Sequence, residues 1–127
     1  MTTKAAILIA DDHEVNRRLL DRILSPHGFL TLHASNGKEA VDAALAHAPA
    51  VILMDIRMPI MDGLEALLAL RQYERTRHIP VIAITAFATH DQLKPIADAG
   101  FDAVVTKPID VEGLLGLVRR HIPGLPA

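Results

Sequence analysis

The chain alternates between two kinds of segment. One is a short apolar run rich in Ile, Val and Leu, at 5–10, 29–34, 50–54, 81–84 and 103–105. Runs of this length without a clear period of two read as strands buried on both faces. The other is longer and follows helical spacing, at 13–24, 37–47, 63–75, 91–99 and 111–121. In the first of these, Leu20, Ile23 and Leu24 make an i, i+3, i+4 stripe, with Arg17, Arg18, Asp21 and Arg22 off it. Ser25-Pro26 ends it, because a residue before proline is biased out of the helical region. In the second, Ala40, Val41, Ala44 and Leu45 form the inward face, and Pro49 stops it. In the third, Leu64, Leu67, Leu68 and Arg71 share the spacing, and Ile79-Pro80 leads into the next strand. Strand and helix therefore alternate five times. That order predicts a five-stranded parallel sheet with helices on both faces and right-handed crossovers, a doubly wound α/β sandwich.

Sheets of this kind bind ligands at the carboxyl ends of their strands. Strand one runs into Asp11-Asp12, strand three into Asp55, strand four into Thr85-Ala86 and strand five into Lys107-Pro108. Strand two ends in Ala34-Ser35-Asn36 and brings no charge. Three carboxylates, a hydroxyl and an ammonium are thus predicted on one edge, a placement that packing does not explain. Taken alone, Asp12 reads as a helix N-cap. Capping accounts for neither Asp11 nor Asp55. Like charges about 4 Å apart repel by roughly 4 kcal/mol at an effective dielectric near 20. Such a cluster takes up protons or a cation. Magnesium suits carboxylate, water and phosphate oxygens. Asp12 and Asp55 are the natural direct ligands, with Asp11 acting through water. A carboxylate is also a nucleophile that needs no general base. With a phosphoryl donor, Asp55 would form an aspartyl phosphate. Lys107 and magnesium would neutralise its oxygens, and the Thr85 hydroxyl and Ala86 N–H would donate to them.

Composition narrows the partners. The chain has 127 residues, half of them apolar, enough for one domain over 1–127. Net charge is −2 with no long basic run, which argues against a nucleic-acid-binding protein. Aromatic residues are few (Phe29, Tyr73, Phe87 and Phe101), so no base-stacking platform is expected. Arg119-Arg120-His121 favours a helix C-terminus rather than a nucleic acid. Without cysteine there is no disulfide, thiol nucleophile or thiolate zinc site. No apolar run reaches the roughly 18–20 residues that span a bilayer. The polar start Met1-Thr2-Thr3-Lys4 lacks a secretory h-region, so no membrane role and a cytoplasmic location are expected.

The pair Asp11-Asp12, the run Leu53-Met54-Asp55-Ile56-Arg57-Met58-Pro59-Ile60-Met61-Asp62-Gly63, then Thr85-Ala86 and Val105-Thr106-Lys107-Pro108 resemble the receiver domain of two-component response regulators. The resemblance spans essentially the whole chain. It implies a flavodoxin-like fold with strand order 2-1-3-4-5, and a cis peptide at Pro108. It also implies Asp55 as phosphoacceptor, and magnesium held with Asp11, Asp12 and the backbone carbonyl of Arg57. Thr85 and Lys107 would meet the phosphoryl group. The implied partners are a histidine kinase or histidine phosphotransfer protein and a downstream protein target. Leu19, Asn16 and the loop after Pro108 would form the docking face. The end at Pro126-Ala127 suits a stand-alone receiver. Arg57 is expected to point toward the site, and Phe87 to lie near the path of attacking water, giving a long-lived phosphoryl group. One position departs from the pattern: Val104 stands where many receivers carry a switching Tyr or Phe. Phe87 or Phe101 would have to serve instead. The competing reading is a magnesium-dependent phosphohydrolase with an aspartyl nucleophile. Arg57, where such enzymes often carry a second acid, speaks against it. A nucleotide-binding module is disfavoured by the lack of a Gly-rich loop after strand one.

Overall fold

The computed structural model describes residues 5–87 and 89–122. The polar start at Met1 and the end at Pro126-Ala127 lie outside the described residues. The order is β1 (Ala6–Ala10), α1 (Glu14–Leu24), β2 (Leu30–Ala34), α2 (Gly37–His47), β3 (Val51–Asp55), α3 (Gly63–Gln72), β4 (Val81–Thr85), α4 (His90–Asp98), β5 (Ala103–Thr106) and α5 (Val111–His121). The strands form one parallel sheet in the order β2-β1-β3-β4-β5. That is the doubly wound flavodoxin-like arrangement expected.

The strands separate two cores. Leu8, Ile52, Met54 and Ala83 face a layer with Ala40, Ala44, Leu67, Leu70 and Ile96 of α2, α3 and α4. Ile7, Ile9, Leu53 and Ile82 face the other, with Leu20 and Leu24 of α1 and Leu114 and Val118 of α5. Alternate residues of one strand thus feed opposite layers, which is why β1, β3 and β4 read as continuous apolar runs. Full burial of each Leu, Ile, Val or Met side chain among them is worth roughly 1.5–3 kcal/mol.

Three expectations change. The strands β2 and β5 are not buried on both faces, because the order leaves them at the edges; Leu30 and Thr106 are exposed. The third helix stops at Gln72 rather than 75, where Tyr73 turns extended and turns follow. Its inward face is Ala66, Leu67 and Leu70, while Leu68 is 60% exposed. The starts of α2, α3 and α4 are capped by side chains. Asn36 accepts from the Glu39 N–H, and Asp62 with Glu65 and Thr89 with Gln92 form reciprocal capping boxes.

Candidate functional site

Register assembles the site. Ala10 pairs with Met54, so Asp11 leaves β1 beside the end of β3, where Asp55 stands. Asp55 pairs with Ile84, which sets Thr85 one step further on β4. Thr85 pairs with Thr106, and the Lys107 N–H donates to the Thr85 carbonyl at 2.8 Å. Four chemically active residues therefore step across adjacent strand ends. The Lys107-Pro108 peptide is cis, as the resemblance implied.

One cavity of about 220 Å³ is lined by His13, Asn16, Asp55, Arg57, Thr85, Ala86, Phe87 and Lys107. A wider groove of about 640 Å³ adjoins it, lined by Asp12, Arg57, Phe87, Leu64 and the 58–59 turn. The smaller cavity brings Asp55, Thr85 and Lys107 together. Gly63 is needed because α3 starts hard against β3. A methyl group there would overlap the Asp55 carbonyl oxygen and crowd the Ile56 Cα. Close approach, rather than an unusual backbone angle, requires this glycine.

The charges are unbalanced. Asp11 is 3% exposed, Asp12 intermediate and Asp55 half-buried. Lys107 Nζ lies 3.9 Å from Asp11 Oδ2. Burial pushes the Asp55 carboxyl above the usual carboxylate range, and the neighbouring Asp11 and Asp12 charges push the same way. Lys107 and the Ile56 N–H oppose the shift without cancelling it.

Asp12 is not a helix cap. His13 is the N-cap of α1, with no side-chain cap bond, and its N–H donates to Asp11 Oδ1 at 2.8 Å. Asp12 Oδ1 is buried and, among the described residues, accepts no hydrogen bond. His13 Nδ1 lies 3.2 Å away, close enough to attract when protonated but not aligned to donate. A buried carboxylate oxygen left in this way fits a cation. Ligand atoms of Asp11, Asp12 and His13 lie within 4.8 Å of one another. Hard oxygens predominate in this donor set, which suits magnesium better than zinc.

Sequence reasoning missed two contacts. Arg17 Nη1 donates to the Asp11 backbone carbonyl at 2.7 Å and clamps the acidic turn. The guanidinium of Arg57 lies over the Phe87 ring, 4.7 Å from its centroid. A basic residue one helical turn after His13 was a readable signal for the first. Nothing local marked the second. Phe101 is buried in the core, and Val104 packs partly buried against the same core.

The family model described as the response regulator receiver domain matches residues 7–119, and the chain belongs to that family of two-component signalling modules. Its similarity to the polar-differentiation response regulator DivK of Brucella anthropi is 37% identity over 117 residues, covering 92% of this chain and 95% of that protein. The receiver domain of a signal transduction histidine kinase from Syntrophus aciditrophicus superposes with a TM-score of 0.87 at 32% identity, covering 94% of this chain and 91% of that one. That of a Pseudomonas aeruginosa sensor histidine kinase, solved with a magnesium ion in its active-site cleft, gives 0.86 at 30% identity, covering 93% and 97%. No helix among the described residues is long and apolar enough to cross a membrane.

Proposed function

We propose that this receiver accepts a phosphoryl group on Asp55 from a histidine kinase or histidine phosphotransfer protein, with Mg2+, and thereby switches binding to a downstream protein in the cytoplasm. The observation that carries the proposal is the meeting of Asp55, Thr85 and Lys107 in one small cavity beside an acidic pair with an unsatisfied oxygen. In the reaction an Asp55 carboxylate oxygen attacks phosphorus. The new O–P bond forms as the donor's N–P bond breaks, and the imidazole leaves with that electron pair. Asp11, Asp12, Asp55 and the Arg57 backbone carbonyl would hold magnesium. When bound, it supplies positive charge against the phosphoryl oxygens. Lys107 supplies the protein's own charge, and the Thr85 hydroxyl and Ala86 N–H donate to the same oxygens.

A nearly complete shift between two states, from about 1:99 to 99:1, takes about 5.5 kcal/mol. Charge-assisted hydrogen bonds from Thr85 and Lys107, roughly 1.5–3 kcal/mol each, approach that figure. Phe87 at the cavity wall keeps water from the aspartyl phosphate and lengthens its life, so Phe87→Ala should speed its decay. Docking of the donor falls to Asn16, Leu19, Ile23, Pro108, Ile109 and Val111. These residues line an apolar groove of about 310 Å³, and Leu19 is 51% exposed.

The test is labelling by radioactive acetyl phosphate. Wild type should label only with Mg2+, and Asp55→Asn should not label. Stable labelling of the Asn variant would sink the assignment.

A further inference from the structure

Arg57 and Phe87 are shared by the two cavities and form the wall between them. They come from different loops, one after β3 and one after β4, and the stack at 4.7 Å is what joins them. Among the described residues no carboxylate pairs with the Arg57 guanidinium. The ring is its partner. The Phe87 N–H in turn donates to Thr85 Oγ1 at 3.1 Å. A hydroxyl that accepts there still has its own proton to donate. The Thr85 side chain is buried at the strand end, so that proton has the Asp55 cavity as its open side.

Resting on the reading of Asp55 as phosphoacceptor, we infer that Arg57 and Phe87 form a latch that positions the Thr85 hydroxyl and opens when an anion sits on Asp55. Both ends of the latch respond to the same charge. Arg57 lines the Asp55 cavity, and a phosphoryl dianion there attracts a guanidinium more strongly than an aromatic face at a partly exposed site does. Thr85, donating to that anion, moves toward it and draws the Phe87 backbone along through the bond at its Oγ1. The ring then loses its guanidinium cover while staying on the wall of the Asp55 cavity, and the loop after β4 shifts with Thr85. Val104 has no ring to move, and Phe101 is locked in the core. Phe87 is the aromatic group placed to respond, through its own backbone bond to Thr85. Phe87 is a positioning residue that acts through Thr85, while the Arg57 guanidinium answers the anion directly.

The experiment uses the whole chain labelled with 4-fluorophenylalanine. There are three phenylalanines, Phe29, Phe87 and Phe101, and loss of one resonance in Phe87→Leu assigns the ring of interest. One fluorine spectrum, taken with beryllofluoride and Mg2+, then reads both the anion and the ring. The expected result is a bound-fluoride signal together with a shift of the Phe87 resonance, with Phe29 and Phe101 moving much less. In Arg57→Ala the resting resonance should already lie toward the opened position, and the anion-induced shift should shrink at least about twofold. Arg57→Lys, which keeps the charge without the planar stack, should fall between. Bound fluoride with an unmoved Phe87 resonance would overturn the latch, as would an equal shift in Arg57→Ala. Absence of any bound-fluoride signal would overturn the Asp55 reading and the latch with it.

Discussion

Asp55 is held in a setting that its own charge does not favour. Burial first, then Asp11, raise its carboxyl above the usual range, so the folded chain binds that proton more tightly than the unfolded chain does. Stability linked to this group is therefore fully present below the ordinary carboxylate value and is lost as pH rises through the raised folded one. Asn at this position has no charge to bury. Asp55→Asn should be more stable than wild type at neutral pH, the effect being tempered by the half-exposed setting. A denaturant titration should show the gap closing below about pH 4 and narrowing when Mg2+ is added. Asp21 carries the opposite sign. Hydrogen bonds from Ser25 Oγ and then Thr31 Oγ1 hold it below the usual range, so its contribution exists above that range and fades as pH falls. The acidic, hydroxyl and ammonium residues were legible in the sequence because each closely follows an apolar run. The Arg57–Phe87 stack was not, because it depends on two side-chain rotamers thirty positions apart.

Helix packing fixes how the loops meet β3. The backbone turns sharply at Ile60, whose φ of 71° is unusual for a branched residue, and the Met61 N–H bonds back to the Pro59 carbonyl at 2.7 Å. The Gly63 N–H then donates to the Ile56 carbonyl at 2.8 Å and seats α3 on the strand end. Gly63→Ala should cost about 2–3 kcal/mol, since its methyl meets backbone that cannot yield without moving Asp55. Gly116 in α5 has open space around it, so Gly116→Ala should stabilise by about 0.5–1 kcal/mol. Thermal melts of the two variants should move in opposite directions. The α2 and α5 bounds matched their periodic patterns, because caps and buried faces agree there. The end of α3 did not, because Leu68 and Arg71 continue a helical spacing that the chain abandons at Tyr73. The Arg71 side chain instead bonds the Arg77 and Ile79 carbonyls and Asp102, tying the turn to the start of β5.

Across the molecule, one sheet edge carries the chemistry while an apolar groove between α1 and the loop after β5 stays open. The two regions meet at Asn16 and Lys107, which line both cavities. That continuity suits a partner that rests on the groove and reaches Asp55. Leu19→Glu should then slow phosphotransfer from a protein donor about fivefold or more while leaving labelling by acetyl phosphate unchanged. Equal loss with both donors would mean the site itself had been disturbed. The alternation of apolar runs and helical stripes made the layered fold and the active edge readable in the sequence. Edge exposure of β5 was hidden, because Ala103-Val104-Val105 is as apolar as a central strand, whereas Thr31 and His33 marked β2 as less apolar.

The proposed function puts the phosphoryl group on one carboxylate, that of Asp55. Borohydride reduction of the acetyl-phosphate-treated chain converts an aspartyl phosphate to homoserine, which peptide mass spectrometry locates. Homoserine should appear at position 55 and at no other aspartate, and only when Mg2+ was present. Homoserine at Asp11 or Asp12, or a phosphoryl group mapped to a hydroxyl or imidazole, would contradict the account.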